Sequence, residues 1–150
     1  VLEAADADLV ARAIAWAGEN EVAANQIFNV TNGDVFTWRG VWPAIAAALG
    51  MGVGDERPMQ AGAWLESQSE TWADLARKHG LTEPDLKALL GESHHYIDFT
   101  MASGLEGQLP PAIVSTIKLR QSGFTEVIDT EAMFAKWFTW FQEAGYLPKP

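Results

Sequence analysis

Two adjacent imidazoles, His94 and His95, are the side chains best suited to bind a metal or move a proton near neutral pH. On an α-helix, neighbouring side chains point about 100° apart, so one cation cannot easily take both. His79 is the only other imidazole and cysteine is absent, which leaves too few ligands for a structural zinc. A surface or rim position is the expectation for the pair, and no metal is expected. Ser93 precedes them, yet no Gly-x-Ser-x-Gly elbow presents a nucleophile. Carboxylates occur close together at Asp6/Asp8 and Asp55/Glu56. Acid–base work needs two carboxyls on one cleft, one of them raised by an apolar setting, and solvated faces account for these pairs better. Gly50-Met51-Gly52-Val53-Gly54 has neither dinucleotide-loop spacing nor a preceding strand, so it reads as a flexible loop. Trp38, Trp42, Tyr96, Phe99, Trp137 and Trp140 could line a pocket for a large apolar ligand. Aromatics at helical spacing more often fill a core.

The elements that must position these groups are mostly helical. Asp6 offers a cap for a helix carrying Leu9, Val10, Ala13, Ile14 and Ala17. Gln26 to Val30 is the best strand, and Asn32-Gly33-Asp34 follows it as a turn. Thr37 then caps a helix with Trp38, Val41, Trp42, Ile45 and Leu49, closed by Gly50; Pro43 should distort it or mark a late start. The turn residues are expected to fix how that helix begins. Residues 61–66 and 71–79 read as short helices, and Thr82 as the cap of one carrying Leu86, Leu89 and Leu90. Residues 93–102 and a segment opened by Pro110-Pro111 are further helices. Phe124 to Ile128 is a weak second strand. Thr130 caps a last helix, Glu131 to Ala144, whose aromatics cover well over half its circumference, as in a helix buried between layers or against a partner. The fold class expected is α+β, predominantly α-helical with one or two short strands.

With 150 residues, 48% of them apolar, the chain fits one domain with a sizeable core. A net charge of −10 repels nucleic-acid phosphates and anionic lipid, so neither is expected as a partner. The lack of cysteine excludes disulfides and is compatible with an intracellular protein; a cytoplasmic location is expected. Val1 is not an initiator Met, and the chain reads as a cut into a longer protein.

Several stretches taken together resemble a known family. Ala11-Arg12-Ala13, Ala23-Ala24-Asn25, the run Phe28 through Trp38 (FNVTNGDVFTW) and Trp42 fall in the order found in the carboxy-terminal half of the progesterone 5β-reductase/iridoid synthase-like reductases. These are extended short-chain dehydrogenases/reductases. The tail, STIKLRQSGFTEVIDTEAMFAKWFTWFQEAGYLP, is similar to the family's closing segment. The resemblance is close at both ends and loose from Gly52 to Ser93.

The resemblance implies that residues 1–150 form a single carboxy-terminal substrate-binding domain whose NADP(H)-binding Rossmann half is absent. It implies reduction of enone C=C bonds by hydride transfer in the intact enzyme. The family's catalytic Tyr and Lys have no counterpart here, because Tyr96 is followed four residues on by Thr100 and Tyr146 by Pro150. No catalytic or cofactor-binding residue is therefore expected in the chain. By position, Tyr96 and Phe99 are the expected substrate contacts, with His95, Met101 and Trp64 as weaker ones; a core role is the alternative for each. The partners implied are a small apolar enone, the chain's own Rossmann half and, through surface that half would cover, a second copy. Two alternatives remain. One is a different extended reductase acting on sugar nucleotides or carbonyls, disfavoured by the scattered basic residues. The other is a helical interaction module docking through Glu131 to Ala144.

Overall fold

The computed structural model describes residues 1–101 and 111–150. Among them are eight α-helices: α1 (Ala7–Glu19), α2 (Trp38–Ala48), α3 (Ala61–Glu66), α4 (Ser69–His79), α5 (Leu86–Leu90), α6 (Ile97–Thr100), α7 (Ile117–Gln121) and α8 (Thr130–Glu143). Short 3₁₀ turns occupy Glu21–Ala23 and Ser93–Tyr96. The chain divides into two compact units, Val1–Ile45 with Pro111–Lys136, and Ala46–Pro110 with Trp137–Pro150.

In the first unit, α1 turns Leu9 and Ala13 inward onto Leu119 of α7 and Phe124, with Trp16, Phe28, Val30 and Ile128 packed around them. The Trp16 ring meets Phe28 edge-on at 6.0 Å and Phe124 at 5.8 Å. A second aromatic group joins Phe36, Trp38 and Phe134, with centroids 5.5–6.1 Å apart. Asp6 starts α1 as expected, its carboxylate accepting from the Asp8 and Leu9 amides at 2.9 and 3.2 Å.

The turn Asn32-Gly33-Asp34 does something other than begin α2. Asp34 accepts from the backbone amide of Thr130 at 2.9 Å and from its hydroxyl at 2.6 Å, so it ties down the start of α8. Asn32 is fully buried and joins the amide of Asp6 to the hydroxyl of Thr130. The start of α2 is held by Thr37 alone of the residues expected there, its hydroxyl accepting from the Gly40 amide at 3.1 Å. Pro43 lies inside α2, which runs through it.

The mainly helical expectation holds; the two strands do not form among the described residues. The β pairing present there is one isolated antiparallel bridge, Leu2 with Phe36, made by two hydrogen bonds of 2.9 Å. At the expected first strand, the Ile27 carbonyl instead accepts from Lys118 Nζ at 3.0 Å, and Asn29 Nδ2 donates to the Ser115 carbonyl at 3.1 Å. At Ile27 a side chain thus meets a carbonyl that a neighbouring strand would have paired. Over 124–128, the Ile128 amide donates to the Asn32 carbonyl at 2.9 Å, a single tie and no ladder. Three helix starts also differ. Asp85, not Thr82, caps α5, and Asp129, not Thr130, accepts from the Ala132 amide at 2.8 Å. In both cases the carboxylate sits at the residue just before the first helical one, where an Asp is as good a cap as a Thr or better. The helix expected from Pro110-Pro111 onward is confined to α7, while Pro110 itself, like Ala102 at the end of the helix expected over 93–102, lies outside the described residues.

Lys136 on α8 reaches back to α1, donating to Asp6 Oδ2 at 2.6 Å and Asp8 Oδ2 at 2.9 Å. Desolvation alone would pull its ammonium down; the hydrogen bonds to Asp6 and Asp8 and their charges outweigh it and hold the pKa above the usual lysine value. A raised folded-state pKa contributes stability that is complete below the unfolded value and is lost as pH rises through the folded one. Lys136→Met should cost about 1–2 kcal/mol in urea denaturation, given a head group that is partly exposed. That cost should stay constant across neutral pH and shrink at strongly alkaline pH, where the ammonium loses its proton. A cost already shrinking between about pH 6 and 8 would contradict the assignment.

Candidate functional site

In the second unit, α3 packs on the Ser93–Tyr96 turn and on α6. The reason is local. Asp98 on α6 accepts from the first amides of α3, Ala61 at 2.6 Å and Gly62 at 3.2 Å, taking donors that no residue within the helix can satisfy. Gly62 permits the approach, since a β-carbon there would lie 3.0 Å from the His94 carbonyl oxygen and 3.1 Å from Asp98 Oδ2. Glu66 stands one turn after Gly62 on the same side of α3. That register carries its carboxylate to His94, with Oε1 2.9 Å from Nε2.

The two imidazoles do not diverge as an α-helix would require. They stand on a 3₁₀ turn, and their rings approach to a centroid distance of 4.0 Å. One ligand atom each from Glu66, His94 and His95 can be chosen so that all lie within 4.8 Å of one another. The surface expectation is correct for His95, which is 56% exposed, and wrong for His94, at 8%. His95 Nε2 lies 2.8 Å from Glu92 Oε2. His94 Nδ1 is buried with no hydrogen-bond partner among the described residues.

Beside this group lies a cavity of about 290 Å³ lined by Glu66, Ser69, Leu86, Lys87, Leu90 and His94. A smaller hollow of about 180 Å³ is lined by Trp64, Leu65, Gln68, Thr71, Trp72, Leu75 and Leu86. Of the residues expected to touch substrate, Trp64 lines the smaller hollow, while Tyr96, Phe99, His95 and Met101 are absent from the lining of both. All five are nonetheless on the surface: Tyr96 is 68% exposed, Phe99 64%, Trp64 48% and Met101 37%. A core role is therefore excluded for them in this structure. The cavity residues Glu66, Ser69 and Lys87 carry no sequence signal of their own. The one usable hint is the spacing of Gly62 and Glu66 by a helical turn.

Comparison with known proteins gives these features a context. The chain is 31% identical, over 95% of its length, to the short chain dehydrogenase gsfE of Penicillium aethiopicum. It is 27% identical, over 97% of its length, to the (S)-8-oxocitronellyl enol synthase CYC1 of Camptotheca acuminata. The chain is a distant relative of the short-chain dehydrogenases/reductases. It also matches the (S)-8-oxocitronellyl enol synthase of Catharanthus roseus at 31% identity over 58% of its length. The chain spans 40% and 36% of the first two relatives, and 24% of the third. No family model matches it. The chain is mostly helical, with no sheet among the described residues. No described helix is long and apolar enough to cross a membrane.

Proposed function

We propose that residues 1–150 are the substrate-facing part of a nicotinamide-dependent reductase acting on the C=C bond of small apolar enones. The relatives named as enol synthases and as a short chain dehydrogenase support the reductase reading. The observation that carries the substrate role is the exposure of Tyr96, Phe99 and Trp64, three large aromatic surfaces that burial in a core does not explain. NADP(H), bound by a Rossmann half, would supply the hydride. The described residues do not fit it: Gly50-x-Gly52-x-Gly54 has no strand before it, and a net charge of −10 disfavours a pyrophosphate. The contribution of this chain is to cover an apolar substrate, exclude water and fix its orientation against the reacting half. Its location in the cytoplasm belongs to the same proposal.

The test uses the protein together with its Rossmann half. Phe99→Ala should change kcat/KM by about tenfold, and unequally, across a series of enones, the order expected for a lost apolar contact. NADPH affinity should stay within about twofold, since Phe99 would not touch the cofactor. Equal losses in enone turnover and NADPH binding would mean that Phe99 supports the fold. A wild-type protein that binds NADPH but reduces no enone would overturn the proposed substrate class.

A further inference from the structure

We propose that Glu66, His94 and His95 form a binding site for a divalent transition-metal ion, a role separate from the reductase reading. Two imidazoles and one carboxylate are a donor set suited to Zn2+, Co2+ or Ni2+. Three such ligands with the remaining positions left to water form an open site. The separation of 2.9 Å between His94 Nε2 and Glu66 Oε1 equals the edge between two ligands at right angles on an octahedral cation with bonds of about 2.0–2.1 Å. A tetrahedral cation would open that edge to about 3.3 Å, a small movement for the exposed Glu66. The His95 ring stands 4.0 Å from the His94 ring and completes a group within 4.8 Å, so binding requires only a small closure by a half-exposed side chain.

Burial also holds the His94 ring in place, with Nε2 turned to the Glu66 carboxylate; an ion on Nε2 leaves Nδ1, which has no partner among the described residues, outside its coordination. The Glu92 carboxylate beside His95 Nε2 orients that ring in the way outer carboxylates orient ligating imidazoles. Lys87 lines the adjacent cavity and opposes a cation, whereas the net charge of −10 favours one. A bound ion would lock α3 to the 3₁₀ turn that ends at Tyr96 and leads into α6, which carries Phe99. It would thus stiffen the segment carrying the exposed aromatics.

The experiment is titration of the metal-free protein, carrying no histidine tag, with ZnCl2 by calorimetry and with CoCl2 by visible absorption. The expected result is one equivalent bound, with a cobalt spectrum showing nitrogen ligation. His95→Ala and Glu66→Gln should each weaken binding about tenfold or more, and His79→Ala should leave it unchanged. Glu66 and His95 are 61% and 56% exposed, so these variants should keep the fold, checked by circular dichroism. Binding weaker than about 100 μM, or equal losses in the His79 and His95 variants, would overturn the site. Unchanged affinity in Glu66→Gln and His95→Ala would overturn it as well.

Discussion

Asn32→Asp is expected to destabilise the protein by about 3–5 kcal/mol, more than Asn32→Ala, although aspartate is the closer match in shape. The amide of Asn32 is used at both ends. Its Oδ1 accepts from the Asp6 amide at 2.7 Å, and its Nδ2 donates to Thr130 Oγ1 at 3.0 Å and Met133 Sδ at 3.2 Å. The single hydroxyl proton of Thr130 is given to Asp34 Oδ1 at 2.6 Å, so only lone pairs face residue 32. A carboxylate there would set oxygen against oxygen, and would bury a charge near the carboxylates of Asp6 and Asp34. Asn32→Ala avoids that repulsion but strands the Asp6 amide and leaves a cavity, at about 2–4 kcal/mol. Urea denaturation of the three proteins at neutral pH decides the order. Alanine proving worse than aspartate would refute the hydrogen-bond assignment. The penalty of Asn32→Asp should also narrow in acid, because its protonated form regains a donor.

Gly33→Ala is the second large effect, at about 2–4 kcal/mol. Gly33 has φ +103°, where an L side chain is strained, and a β-carbon would strike the Arg120 guanidinium and lie 2.9 Å from Val127 Cγ1. The guanidinium can swing away; the backbone strain and the Val127 contact remain. Gly18 in α1 provides the control, since a β-carbon added there would have no atom within 4 Å and its φ is not positive. Gly18→Ala should stabilise by about 0.5–1 kcal/mol through helix propensity. Thermal melts that moved both variants in the same direction would contradict this contrast.

These two positions show where pattern reading of the sequence succeeds and where it stops. That a turn lies at Asn32-Gly33-Asp34 follows from residue type. Which helix it holds does not, because the partner Thr130 is 96 residues beyond Asp34 and only the folded chain brings them together. Helices with a strong period and a local cap, such as α1, are legible from their own residues. Ile27 to Val30 has the residue types of a strand and forms none, because a strand depends on a neighbour that no local pattern specifies. At the candidate site, the chemistry of His94 and His95 is legible from residue type, but the angle between them is not. On the 3₁₀ turn successive residues point about 120° apart, wider than the α-helical step, and the rings still approach to 4.0 Å, so the direction of each side chain decides the contact. Glu66 is silent in the sequence because its role comes from Gly62 allowing a close approach, a fact about two backbones.

The connection of Asp6 to Lys136 spans 130 residues, and that of Asn32 to Thr130 spans 98. On a ribosome, the α1 cap and the buried Asn32 amide emerge first and must wait for α8. At roughly 5–20 residues per second, the interval is roughly 5–30 s. During it Leu9, Ala13, Trp16 and Phe28 have no Leu119 or Phe124 to cover them. The growing chain therefore presents an apolar surface with unmatched polar groups beside it, the kind of surface a chaperone binds. Its yield in a cell would depend on the speed of translation through its last third as much as on the stability of the finished molecule.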